Sequence, residues 1–216
     1  MNLNPIHSAI TYFLAHPDTF GAALLSHVSL SATALSIALL LAFPLGVWVS
    51  SQSGRMRLLI PLFSSLRVIP SLAILALSIP LLGAGITAAL LALILLAIPP
   101  ILINTASGLS QIDPNIREVA LGLGMKPQEI FNRVLLPLAL PSILTGVRTA
   151  TVEVIASATL AALIGAGGLG IFIINGLSMY HFGLLLVGTL PVVMLALLAE
   201  IGFSQLEKHV TRYQPC

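Results

Sequence analysis

Residues 113–137 read DPNIREVALGLGMKPQEIFNRVLLP, the only long polar-containing segment in a chain of otherwise very apolar stretches. It holds six of the sixteen charged side chains: Asp113, Arg117, Glu118, Lys126, Glu129 and Arg133. Local signals predict two short helices. Asp113 can N-cap the first, with Pro114 at the first helical position, where a missing N–H costs nothing. Ile116, Val119, Ala120 and Leu123 then make one apolar stripe at helical spacing. Gly124 follows the stripe and can take the left-handed conformation that ends a helix. Pro127 starts the second helix, Glu129 sits in its first turn and Arg133 near its end, an order that suits the helix dipole. Ile130, Phe131, Val134 and Leu135 form its apolar side, and Pro137 is expected to stop it. A helix–glycine–helix of this kind is a polar knuckle that can dock on something in water.

Outward from the knuckle the chain reads as membrane. Of its 216 residues 57% are hydrophobic and 7% charged, against about a quarter charged in soluble domains. Residues 19–54, 68–112 and 154–199 contain no Asp, Glu, Lys or Arg. A spanning helix needs about 20 apolar residues, so these runs predict an all-α, polytopic protein of about five spans. They fall near 28–50, 58–82, 86–103, 141–164 and 184–203. The second has an uncertain start, because Arg67 and Pro70 interrupt it. Pro99 and Pro100 are expected to close the third. A Gly-rich link, residues 165–183, joins the last two. Residues 1–27 read as an N-terminal interfacial segment or loosely held tail, 28–208 as one membrane domain containing the 113–137 loop, and 209–216 as a polar tail. All nine Lys and Arg lie on one side of this arrangement, or near it within a span. The positive-inside rule then puts the N-terminus outside and the knuckle and C-terminus in the cytoplasm.

Most catalytic chemistry is not legible here. Gly165, Gly167 and Gly170 fit G-x-G-x-x-G, but a membrane helix precedes them and the next acid is Glu200, so the dinucleotide reading fails and a turn or close backbone packing is expected instead. The chain has no G-x-x-x-x-G-K-[ST], so nucleotide would have to be bound elsewhere. His7, His16, His27, His181 and His209 are scattered, and Cys216 is the single cysteine, so no metal site is expected. Met1–Leu25 lacks the basic residue of a secretory leader.

Glu153 is the most informative residue within a span. An acid at that depth is expensive and should face the interior or a wet path. It either lines a cation route or holds a structural contact. Arg148, five positions earlier, stands about 140° away around a helix, a poor geometry for pairing. Arg67 reads as snorkelling to the cytoplasmic surface. Pro70 and Ser71 can break the second span, and a broken helix is tolerated only where it is buried or lines a cavity. Pro70, Ser71 and Glu153 are therefore the expected translocation path.

The knuckle resembles the cytoplasmic loop of permease subunits of bacterial ATP-binding-cassette (ABC) importers, which reads E-A-A-x-x-x-G and, after a spacer, I-x-L-P. Glu118, Val119 and Ala120 stand at E-A-A, Gly124 at the glycine, and Val134, Leu136 and Pro137 at I-x-L-P, with spacing intact. Val119 for alanine and Val134 for isoleucine are the departures. RVIPSLAILALSIPLLGAG (67–85) and GVRTATVEVIASATLAALIGAGGLG (146–170) are similar to the branch that imports glycine betaine, carnitine, choline and related quaternary ammonium osmoprotectants. The resemblance implies a type I ABC importer permease fold in the bacterial cytoplasmic (inner) membrane. It implies a transport subunit rather than an enzyme, with ATP and magnesium bound by a partner ATPase. It also implies a second permease subunit, identical or paralogous, and a separate periplasmic or lipid-anchored binding protein, with no nucleic acid involved. A fused binding domain is not expected at this length. The implied coupling element comprises Glu118, Val119, Ala120, Leu121, Gly124, Met125, Leu136 and Pro137, with the surface around Leu121–Met125 fitting a groove on the ATPase. Aromatic residues are 6% of the chain, too dispersed to show the cage that favours quaternary ammonium groups, which places primary selectivity in a partner. The competing readings are an ATP-independent secondary transporter or channel using Glu153, and a membrane scaffold without transport.

Overall fold

A computed structural model describes residues 4–211. Arg212 and Cys216 lie outside the described residues. The chain folds as helices α1 (Pro5–Ala15), α2 (Pro17–Ser50), α3 (Ser53–Leu66), α4 (Ser71–Leu82), α5 (Ile86–Ser110), α6 (Pro114–Gly122), α7 (Pro127–Ile130), α8 (Leu136–Ser157), α9 (Gly170–Ser178) and α10 (Phe182–Thr211). A π-helical turn, Phe131–Leu135, joins α7 to α8, and a 3₁₀ turn, Leu160–Ile164, follows α8. Four stretches are long and apolar enough to cross a membrane: Pro17–Ser50, Ile86–Ser110, Pro127–Ser157 and Phe182–Val210. Taken as one broken span bent by 90°, α3 and α4 make a fifth.

Packing at the centre uses small residues. Ala34, Ala38 and Ala42 of α2 repeat every four positions and are fully buried, opposite Ala88, Ala89, Ala92 and Ala97 of α5. Without a hydrophobic driving force between helices in lipid, close backbone approach is what association rests on. The α5–α8 crossing is also close, with Gly146 of α8 facing Asn104 and the Pro100 carbonyl of α5. Asn104 Nδ2 donates to the Pro100 carbonyl at 2.8 Å, and Ser142 Oγ donates to the Asn104 carbonyl at 2.9 Å.

Three predicted boundaries are corrected by the fold. Pro99 and Pro100 do not close the third span: they are buried inside α5, which continues to Ser110. Their missing N–H groups remove the usual helical donors to the Leu95 and Leu96 carbonyls, but neighbouring helices and local adjustments make that tolerable in a membrane. Pro137 does not stop the second knuckle helix. The Leu136 N–H reaches back five residues to the Phe131 carbonyl, and this π turn carries the chain past Pro137 into α8. The first span's helix begins at Pro17, within the stretch read as interfacial, because no breaker separates Pro17 from Val28.

The outer end is locked by contacts that hydropathy does not register. Tyr12 and Phe20 both pack on Phe172 of α9, with ring centroids 6.0 and 6.3 Å apart. The α8 helix tightens at its end, where the Thr159 N–H bonds the Ala156 carbonyl. The Ile155 carbonyl, left without its helical donor, accepts from His27 Nε2 at 3.1 Å. His27 is fully buried. His27→Ala removes the donor from a buried carbonyl, which costs about 1–3 kcal/mol. The thermal midpoint of the detergent-solubilised protein should fall by several degrees. An unchanged midpoint would rule out this lock.

Candidate functional site

The knuckle sits at the inner end of the bundle, where Arg117, Ile130 and Phe131 share a cavity wall with Val47 and Ser50 of α2 and Leu109 of α5. Asp113 caps α6 as its sequence predicts: its carboxylate accepts from the Asn115 N–H at 2.9 Å. Glu129 closes the second helix start, accepting from the Lys126 N–H at 3.0 Å. Between the helices Gly124 has φ +81° and would place a Cβ in open space, so backbone conformation alone requires glycine there.

Of the predicted apolar stripe only Ala120 is buried. Val119 is 62% exposed, Leu121 48% and Leu123 78%. Glu118 is also exposed and Met125 half-buried. The knuckle therefore turns an apolar surface with a charged rim away from its own bundle. Leu136 and Pro137 belong to the first turn of α8, with Leu136 half-buried and Pro137 exposed. Nearby, the Arg55 guanidinium lies 4.2 Å from the Trp48 ring centre and donates to the Trp48 carbonyl at 3.1 Å, which marks the same end of the bundle as polar.

The second feature is a cavity of about 210 Å³ on the flank of the bundle; a single water needs only about 10–15 Å³ of such space. Leu66, Arg67 and Ile69 before the α3–α4 bend, Leu95 and Pro99 of α5, and Glu153 of α8 contribute to its walls. Pro70 and Ser71 make the bend itself. The Pro70 carbonyl accepts from the Ala73 and Ile74 N–H groups at 2.9 and 3.2 Å, starting α4.

Arg67 is exposed and shares the cavity with Pro99, midway along α5. Among the described residues no hydrogen bond reaches the carbonyls of Arg67, Val68 or Ile69. Such groups do not face lipid.

Arg148 and Glu153 do not pair. Arg148 Nη1 lies 3.4 Å from Glu207 Oε2 and 3.6 Å from Glu200 Oε1, both on α10, and Thr145 Oγ1 donates to Glu207. That leaves Glu153 turned to the cavity that Arg67 also lines. Sequence reading missed Arg67 as a wall residue. Its only signal was the neighbouring proline, which marks a break in the span.

Residues 19–212 match the family described as "binding-protein-dependent transport system inner membrane component". The carnitine transport permease protein OpuCB of Listeria monocytogenes is 38% identical over 202 residues, 94% of this chain and 93% of that protein. The glycine betaine/carnitine/choline transport system permease protein OpuCB of Bacillus subtilis is 38% identical over 185 residues, 86% of this chain and 85% of that protein. Among solved structures, the MetNI methionine ABC transporter in an inward-facing conformation superposes with a TM-score of 0.78 at 21% identity, covering 90% of this chain and 97% of the other.

Proposed function

The chain belongs to the family of binding-protein-dependent transport system inner membrane components, and on that premise we propose that it moves a quaternary ammonium osmoprotectant such as glycine betaine, carnitine or choline across the bacterial inner membrane. It does so as the permease subunit of an ABC importer. A separate cytoplasmic ATPase, which binds ATP and magnesium, docks on the knuckle. A second permease subunit completes the pore, and a separate binding protein delivers the substrate. The observation that carries this reading is the exposed apolar surface of Val119, Leu121 and Leu123 around Gly124. An apolar helix face left unpartnered at the cytoplasmic end suits a groove on a soluble partner. The substrate class is supported by the names of the two relatives.

The mechanism follows from continuity. The second knuckle helix runs through the π turn into α8, and α8 carries Glu153. Movement of the knuckle on ATP binding is thereby passed along a single helix to the cavity, and Glu153, Pro70 and Ser71 lie on the translocation path. Proteoliposomes holding the permease, its ATPase and its binding protein test this directly. ATP-dependent uptake of labelled glycine betaine, carnitine or choline is expected. Uptake that persists without ATP would favour an ATP-independent carrier, and no uptake of any of the three would refute the substrate class.

A further inference from the structure

Two opposite charges line one apolar cavity beside the α3–α4 break, and they do not neutralise each other by contact. Arg67 and Glu153 are both wall residues. Among the described residues, ion pairs within 4.0 Å join only Arg148 with Glu200 and with Glu207. Charges in such a cavity are costly and mark function more often than architecture. A structural pair would be expected in direct contact, with its hydrogen-bonding capacity satisfied. Here the guanidinium comes from the exposed α3–α4 break and the carboxylate from α8, and leucine side chains line the same cavity.

We propose that Arg67 and Glu153 form a two-headed site for a compact zwitterion, a carboxylate joined by a short linker to a trimethylammonium group. This rests on the function proposed above and deepens it. The chemistry of each end is specific. A guanidinium offers planar, permanently charged donors matched to a carboxylate. A trimethylammonium group has no N–H, so it needs a negative field and apolar contact rather than hydrogen-bond acceptors. Glu153 supplies the field, and Ile74, Leu77 and Leu95 supply the contact. A plain quaternary ammonium alcohol such as choline engages only the Glu153 end and leaves the Arg67 end unpaired. Because no aromatic side chain among the described residues lines this cavity, the site is weaker than an aromatic cage. That suits a step from which the solute must leave as readily as it enters.

The test separates the permease's own selectivity from that of the binding protein. The permease–ATPase complex is held in nanodiscs without binding protein and titrated with glycine betaine and with choline, with binding followed by saturation-transfer NMR per assembled complex. Wild type should bind glycine betaine about tenfold more tightly than choline, the scale of one charge-assisted hydrogen bond. Arg67→Gln should erase that preference while choline binding persists. Arg67→Lys should retain part of it. Glu153→Gln should weaken both ligands. Equal affinities in wild type, an unchanged preference in Arg67→Gln, or no binding of either ligand would each overturn the site. The proteoliposome uptake assay distinguishes the two failures. Uptake of a betaine without this binding pattern removes the two-headed site and leaves the permease function standing, whereas absence of any quaternary ammonium uptake removes both.

Discussion

Gly124→Asp is expected to strip the ATPase from the purified permease and to lower substrate uptake at least tenfold. Aspartate tolerates the left-handed backbone better than most residues, and the Cβ itself meets nothing within 4 Å, so the knuckle should keep its shape. What changes is the surface. A carboxylate would appear between Leu123 and Met125, beside side chains that are 78% exposed at Leu123 and 62% at Val119. Burying an unpaired charge in an apolar contact costs several kcal/mol, and each 1.4 kcal/mol is about tenfold in affinity. Gly124→Ala separates the two causes, because it adds backbone strain of about 1–2 kcal/mol without charge and should weaken docking only modestly. Affinity capture from detergent, with partners identified by mass spectrometry, reads the result. Full retention of the ATPase by the aspartate variant would mean that the knuckle is not the docking surface.

The second large effect is expected at Gly146, in the middle of α8. A Cβ there would stand 2.7 Å from Asn104 Cβ and 2.7 Å from the Pro100 carbonyl. Its neighbours are a helix backbone and a side chain already engaged in hydrogen bonding, so neither yields cheaply. Overpacking a well-filled core costs about 1–3 kcal/mol for a few added methylenes, and the bulk of leucine against backbone should exceed that. Gly146→Leu should therefore insert in the membrane but fail to give a monodisperse peak on detergent gel filtration. Gly202→Leu on α10, where a Cβ meets nothing within 4 Å, should behave as wild type. A Gly146→Leu protein that purifies and melts normally would contradict the α5–α8 crossing described here. The same crossing positions Glu153, so a milder Gly146→Ala variant should lower uptake before it lowers yield.

The membrane character, the count of about five spans and the helix–glycine–helix knuckle were all legible in the sequence. Each rests on information local in the chain: runs without charge, and an Asp–Pro start with a glycine at the hinge. Boundaries were less legible wherever proline was read as a stop. Pro99, Pro100 and Pro137 would end helices in water, but here the surrounding helices and a π turn absorb the missing N–H groups. The helix α9 was hidden inside a glycine-rich link, because Gly165, Gly167 and Gly168 serve the turn before it, all with positive φ, while Gly170 onward is helical.

By itself, the sequence determined that this chain must cross a membrane and carry one polar knuckle between its apolar spans, since hydropathy and charge act residue by residue along the chain. Only the tertiary structure decided that His27 closes the end of α8, that Arg148 turns to α10, and that Arg67 and Glu153 open on one cavity. Those pairings join residues as far apart as 128 positions. They depend on which small side chains let which helices approach, and no local pattern encodes that.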